Sequence, residues 1–265
     1  EQPDGENVVK LNTNENPYPP SPMVKRAIEN FDYARLRKYP KPDIAPLTCA
    51  IAKSLGVDYE NVFVGVGSDD VLAMSFMTFF NSSKPIIFPD ITYSFYDVWA
   101  KVFGINYKTC ELNSSFRIKK EDYLNSPGGI VIANPNAPTG IFEDVSVIEE
   151  IVAKNRDCVV IVDEAYIDFG GTSVVFLTKK YDNLLVTQTF SKSRSLAGSR
   201  IGYAVGSKKL ISALSDVKYS FNSYTMDALS IDIGTAAMGD EVYFKEGCQK
   251  IIATRTSSEK RLEEL

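Results

Sequence analysis

The chain has 265 residues, 44% of them hydrophobic, and a formal net charge of −5. That is material for one large domain, or one and a half, around a sizeable core, and it excludes a disordered chain. The acidic balance, with no basic block, argues against nucleic acid as a partner, and no apolar stretch approaches the roughly 18 residues needed to span a membrane.

Histidine is absent. Ser-His-Asp and Cys-His catalysis and most catalytic zinc sites are therefore out of reach. Proton transfer near neutral pH falls to Lys, Asp, Glu, Tyr, Cys or a cofactor. The four cysteines, Cys49, Cys110, Cys158 and Cys248, form no C-x-x-C pair and read as free thiols in a reducing compartment. With no signal peptide at the start, a cytoplasmic protein is expected. The first residue is Glu1 rather than Met, which suggests a processed or trimmed start.

Residues 1–20 read as an irregular arm, since Leu11 to Pro20 (LNTNENPYPP) is too rich in Asn and Pro for a helix. Ser21 and Pro22 then open a helix to about Phe31. Asp43 is expected to cap a second helix ending at Gly56. From there apolar and amphipathic runs alternate. Strands are expected at 62–66, 86–88, 130–133, 159–162 and 184–186, a further apolar run lies at 201–205, and helices are expected at 70–80, 95–103 and 145–154. After Val205 the pattern is helical: 208–218, 227–238 and 241–265. Strands this short and this apolar fit a mainly parallel sheet covered by helices on both faces. The division expected is an arm and first helix (1–30), a large domain (31–238) and the start of a helix leading into a further, truncated small domain (239–265).

Four strand ends carry polar motifs. Gly65 to Asp70 (GVGSDD) joins a strand to a helix; it is either a phosphate cradle built on the backbone of Ser68 and Asp69, or a tight turn whose carboxylates cap the helix. Asn134 to Gly140 (NPNAPTG) is a stiff loop in which Asn134 could donate its amide to a ligand or simply shape a turn. Asp163 ends an apolar strand and is followed by Glu164, Ala165 and Tyr166. A carboxylate there calls for a partner, such as a protonated ring nitrogen, unless it caps the next segment. Tyr93 opens a helix where an aromatic ring could stack on a ligand or join the core.

The fourth strand end, Thr189 to Gly206 (TFSKSRSLAGSRIGYAVG), is the most informative. Lys192 lies between two serines, with small residues around it and Arg200 eight residues on. A lone loop lysine is ordinarily a solvated one. Small neighbours that admit another molecule, flanking hydroxyls and a guanidinium suited to phosphate are instead the setting of a Schiff-base lysine beside a phosphorylated aldehyde cofactor.

With LNTNENPYPP, the Arg-Lys-Tyr-Pro of 37–40, GVGSDD, NPNAPTG, DEAYIDF and SKSRSLAGSRIGYA all present in order, the chain resembles, over nearly its whole length, the fold type I aminotransferases that use pyridoxal 5'-phosphate. Within them it is most similar to the histidinol-phosphate aminotransferases. The resemblance implies an α/β fold and transfer of an amino group between L-histidinol phosphate and 2-oxoglutarate, with glutamate as product, in histidine biosynthesis. It implies that Lys192 is the Schiff-base lysine and proton shuttle. Asp163 would hold the ring nitrogen, Asn134 and Tyr166 the ring hydroxyl, and Tyr93 would stack on the ring. Ser68, Asp69, Thr189, Ser191 and Arg200 would bind the phosphate. Tyr39 would reach the phosphate of the neighbouring subunit in a homodimer, and the arm around Asn16 would help cover the substrate.

The family also carries a small C-terminal domain with an arginine for the substrate's anionic group, which the chain to Leu265 does not include. Three readings follow: the histidinol-phosphate enzyme; an aromatic-amino-acid aminotransferase or phosphate-substrate decarboxylase with the same cofactor; and a cofactor-binding, non-catalytic domain.

Overall fold

The computed structural model describes residues 10–42 and 44–265. Asp43, the expected cap of the second helix, lies outside the described residues. Helix α1 (Pro22–Glu29) starts as expected, with Ser21 accepting from Val24 N and Pro22 in the first turn. Helix α2 (Ala45–Leu55) stops at Gly56, which takes a φ of 64°, a conformation glycine adopts without strain.

Seven strands follow: β1 (Val62–Gly65), β2 (Ile86–Pro89), β3 (Tyr107–Cys110), β4 (Gly129–Ala133), β5 (Val160–Asp163), β6 (Leu184–Thr189) and β7 (Gly202–Gly206). They form one sheet in the order β1-β7-β6-β5-β4-β2-β3. Strands β2 to β6 are parallel, while β7 runs antiparallel to both β6 and β1. The helices between and after them are α3 (Ser68–Phe79), α4 (Phe95–Val102), α5 (Val145–Lys154), α6 (Lys208–Phe221), α7 (Ala228–Gly239) and α8 (Glu241–Glu263).

Alternate strand residues feed two cores. Ile130, Ile132, Val160, Val162, Leu184 and Val186 pack with α2, α5 and α7. Val131, Ala133, Ile161, Leu185 and Ala204 pack with α3, α4 and α6 on the other face. Each buried aliphatic side chain contributes roughly 1.5–3 kcal/mol. Both faces are covered, as the short apolar strands imply.

Two features depart from the expected elements. Edge strand β3 (YKTC) has two half-buried and two exposed residues, so it lacks the apolar run that marks the others; its backbone pairs with β2 at the edge of the sheet. Helix α3 begins at Ser68 rather than Asp70, because Gly67, at φ 92°, lets the chain turn directly into it. Among the described residues no helix is long and apolar enough to cross a membrane.

Candidate active site

Because β7 is antiparallel to both its neighbours, β1 runs in the same direction as β6. The carboxyl ends of β1, β2, β4, β5 and β6 therefore lie on one edge of the sheet, the edge where open α/β sheets bind ligands. They surround a cleft of about 730 Å³.

One end of the cleft is built from backbone. Helix α3 presents its first turn there, where N–H groups lack intrahelical partners and the helix dipole favours an anion. Asp70 Oδ2 accepts from Val66 N at 2.9 Å and braces the turn from behind. No side-chain hydrogen bond caps α3: Asp70 braces the turn before the helix instead of capping it, and the backbone of the first turn is the part suited to an anion. Gly202 of β7 lies flush against the turn: a Cβ there would come within 2.3 Å of Gly67 C and Ser68 N. A Cβ on Gly67 would meet Arg200 Nη2 at 2.5 Å. Arg200 itself adopts a φ of 50°, a strained choice for a non-glycine residue that fits a functional constraint. Ser68, Thr189 and Ser191 line the same end of the cleft.

The other end is built from side chains. Asp163, 5% exposed, accepts from Tyr96 Oη at 2.9 Å, from Ala165 N at 3.2 Å and from Thr187 Oγ1 at 3.3 Å. Burial pushes its carboxyl up to about 6, against these hydrogen bonds, which favour the charged form. The next residue, Glu164, turns away from the cleft to Ser173, Val174 N and Gln188. Tyr93 forms a wall of the cleft, donates to Asp69 Oδ1 at 2.9 Å and stacks on Phe95. Burial, and then the Asp69 carboxylate, raise its phenol pKa.

Between the two ends stands Lys192. Its Nζ donates to Thr13 O at 2.6 Å and lies 5.5 Å from the centre of the Tyr166 ring. Asn14 Nδ2 donates to Tyr166 Oη at 3.0 Å. The arm therefore reaches the cleft through Thr13, Asn14 and Glu15.

Three residues stand elsewhere. Asn16 does not line the cleft; its Nδ2 donates to Lys192 O at 2.9 Å and its Oδ1 accepts from Tyr18 N. Asn134 is fully buried, and its carboxamide is clamped in both directions on the backbone of Glu143. That leaves it one further N–H. Tyr39 is 81% exposed, rests against Tyr224 with 4.7 Å between ring centres, and does not line the cleft.

A family model described as aminotransferase class I and II matches residues 6–265. The chain belongs to that family. This aminotransferase is 50% identical over 266 residues to the histidinol-phosphate aminotransferase of Brachyspira hyodysenteriae, covering 100% of the chain and 75% of the relative. It is 53% identical over 255 residues to that of Clostridium botulinum, covering 96% and 72%. Among solved structures, a putative histidinol-phosphate aminotransferase from Erwinia carotovora atroseptica superposes with a TM-score of 0.86 at 24% identity, covering 96% of this chain and 76% of that one. The Sinorhizobium meliloti histidinol-phosphate aminotransferase, solved with pyridoxal-5'-phosphate, gives 0.84 at 24%, covering 92% and 68%. The aminotransferase thus spans about three quarters of the length of these curated relatives and shares the fold of the solved ones.

The donor set of the aminotransferase suits pyridoxal phosphate. A cradle that a single Cβ would fill, beside a guanidinium and hydroxyls, accepts a phosphate. At the opposite end, a buried carboxylate whose hydrogen-bond donors above are all neutral suits a cationic ring N–H. Tyr96 and Thr187, which hold that carboxylate, escaped the sequence reading. Their signals were the place of Tyr96 three residues after Tyr93, in the first turn of α4, and a threonine directly after the apolar run of β6, in register with Asp163.

Proposed function

We propose that the chain transfers an amino group between L-histidinol phosphate and 2-oxoglutarate. The observation that carries this is the convergence of Lys192, Asp163 and the α3–Arg200 cradle on one cleft, in a chain half identical to histidinol-phosphate aminotransferases. When bound, pyridoxal phosphate supplies an aldehyde to carry the amino group and a ring that accepts the electron pair released at the substrate's Cα. The residues of the chain do the rest. Ser68, Asp69, Thr189, Ser191 and Arg200 bind the phosphate, and Tyr93 covers the ring. Asp163, kept charged by Tyr96 and Thr187, holds the ring nitrogen protonated. Tyr166, oriented by Asn14, and the second N–H of Asn134 serve the ring hydroxyl. Lys192 Nζ would take the proton from substrate Cα and deliver it to the carbon that bears the cofactor's aldehyde.

The same reading makes residues 31–238 the cofactor domain, with 1–30 as arm and first helix and 239–265 as the lead into a small domain. It also makes the protein a homodimer, with Tyr39 serving the neighbouring subunit's phosphate; the exposure of Tyr39 supports this. The four cysteines are free, which agrees with a cytoplasmic location, and burial pushes the Cys158 and Cys248 thiols up to about 11, so those two stay protonated.

An absorbance scan with pyridoxal phosphate, before and after L-histidinol phosphate, tests the proposal. The lysine-bound band is expected to form and then convert to that of the aminated cofactor. A band that forms and ignores L-histidinol phosphate but responds to an aromatic amino acid overturns the substrate assignment, and no band overturns the cofactor assignment.

A further inference from the structure

The residues after Lys192 are anchored outside the cleft. Asn16 grips the Lys192 carbonyl itself, at 2.9 Å. Ser193 is 5% exposed, and its hydroxyl donates to Asp168 Oδ2. Asp168 belongs to the short turn Ile167–Phe169 that directly follows Tyr166. Arg194 Nη1 donates to Ala237 O at 2.9 Å in α7, and its guanidinium lies 4.0 Å from the centre of the Phe244 ring in α8. From α8, Arg255 Nη1 donates to Phe169 O at 3.1 Å. The lysine loop and the Tyr166 turn are thus tied to each other through Ser193 and Asp168, and both are tied to α8.

We propose that Asn16 and Asp168 are positioning residues for Lys192. Asn16 fixes the peptide from which the lysine side chain springs. Asp168 fixes the next residue relative to the turn that carries Tyr166. Neither touches the cleft. The reason for such a clamp is geometric. Lys192 is a long side chain with several rotatable bonds, and its Nζ must reach a defined atom. A lysine on a sliding loop loses that placement, and a displacement of about 1 Å can cost as much as ~100-fold in rate. Backbone torsions in the loop show that it is held in an uncommon shape: Ser195, three residues on, has a φ of 58°, which persists only where surrounding contacts over-determine it.

The inference rests on the reading of Lys192 as the cofactor lysine, and the test separates the two. Three variants are compared with wild type: Asn16→Leu, which keeps size and removes the donor; Asp168→Leu, which removes the acceptor; and Asp168→Asn, whose carboxamide oxygen still accepts from Ser193. Hydrogen exchange of the cofactor-free chain is read over residues 190–196. Then kcat and KM for L-histidinol phosphate are measured on the holoenzyme, normalised to bound cofactor. In both Leu variants exchange over 190–196 is expected to rise about tenfold with β4 and β5 unchanged, and kcat to fall about tenfold with KM within about twofold. Asp168→Asn is expected to stay within about threefold of wild type in both. Unchanged kcat per bound cofactor, a loss in KM instead of kcat, or an Asn variant as impaired as the Leu variant overturns the inference. Absence of the lysine-bound band in wild type overturns the underlying reading instead.

Discussion

The two ends of the cleft are made in different ways. The end proposed for the phosphate is backbone: a helix start, two glycines with no room for a Cβ, and an arginine in left-handed conformation. The ring and lysine end is side chains held by other side chains: Asp163 by Tyr96 and Thr187, Tyr166 by Asn14, and the lysine loop by Asn16 and Asp168. A backbone cradle fails when an atom is added. A side-chain network fails when a donor or acceptor is removed, and it fails by degrees.

The largest effect belongs to neither framework but to the group between them. Lys192→Ala is expected to abolish the lysine-bound absorbance and lower kcat by about 10⁴-fold, the upper range for a general acid–base. Retained absorbance would move the Schiff base elsewhere.

Gly202→Ala adds one carbon to the backbone end. With 2.3 Å to Gly67 C and Ser68 N, the loop has to shift. Cofactor affinity is expected to fall about 100-fold and stability by about 2 kcal/mol, as for an overpacked site. Cofactor titration and thermal melts measure both, and wild-type affinity would show that the cradle is not a close-packed one.

Asp163→Asn probes the side-chain end through pH. Burial holds the Asp163 carboxyl at about 6, above its ordinary value. Between roughly pH 4 and 6 the folded chain therefore binds a proton that the unfolded chain has lost, so the contribution of this group to stability falls as pH rises through that window. In the cofactor-free chain, Asp163→Asn is expected to gain on wild type by roughly 2–3 kcal/mol from pH 4 to pH 8, while losing most activity with cofactor. Parallel stability–pH curves for the two chains would show that Asp163 is not held at that cost.

Asn14→Ala removes one hydrogen bond to Tyr166, at 3.0 Å. A loss of about 1 kcal/mol, near fivefold in kcat/KM, is expected from steady-state kinetics, with stability unchanged. A drop as large as that of Gly202→Ala would erase the contrast between the two ends.

Much of this was legible along the chain. The strand and helix alternation followed from period and length. The motif residues Ser68, Asp69, Tyr93, Asp163, Tyr166, Thr189, Ser191, Lys192 and Arg200 all line the one cleft, because in a parallel sheet the segment after each strand returns to the same edge. Less legible were the contacts behind the wall. Asn16, expected in a substrate cover, donates to the lysine peptide, and Asn134, expected at the ring hydroxyl, holds the Glu143 backbone with its oxygen and one N–H.

What the sequence determined by itself is the set of elements and the chemistry available to them, since apolar period, glycine and proline positions, and the absence of histidine are local facts. Only the tertiary structure decided the antiparallel insertion of β7, the edge strand β3, the fit of Gly202 against Gly67, and which polar group holds which. Those depend on contacts between residues far apart in the chain, such as Tyr96 with Asp163 or Asn14 with Tyr166, and no local pattern encodes a distance that the packing of the whole sheet has to set.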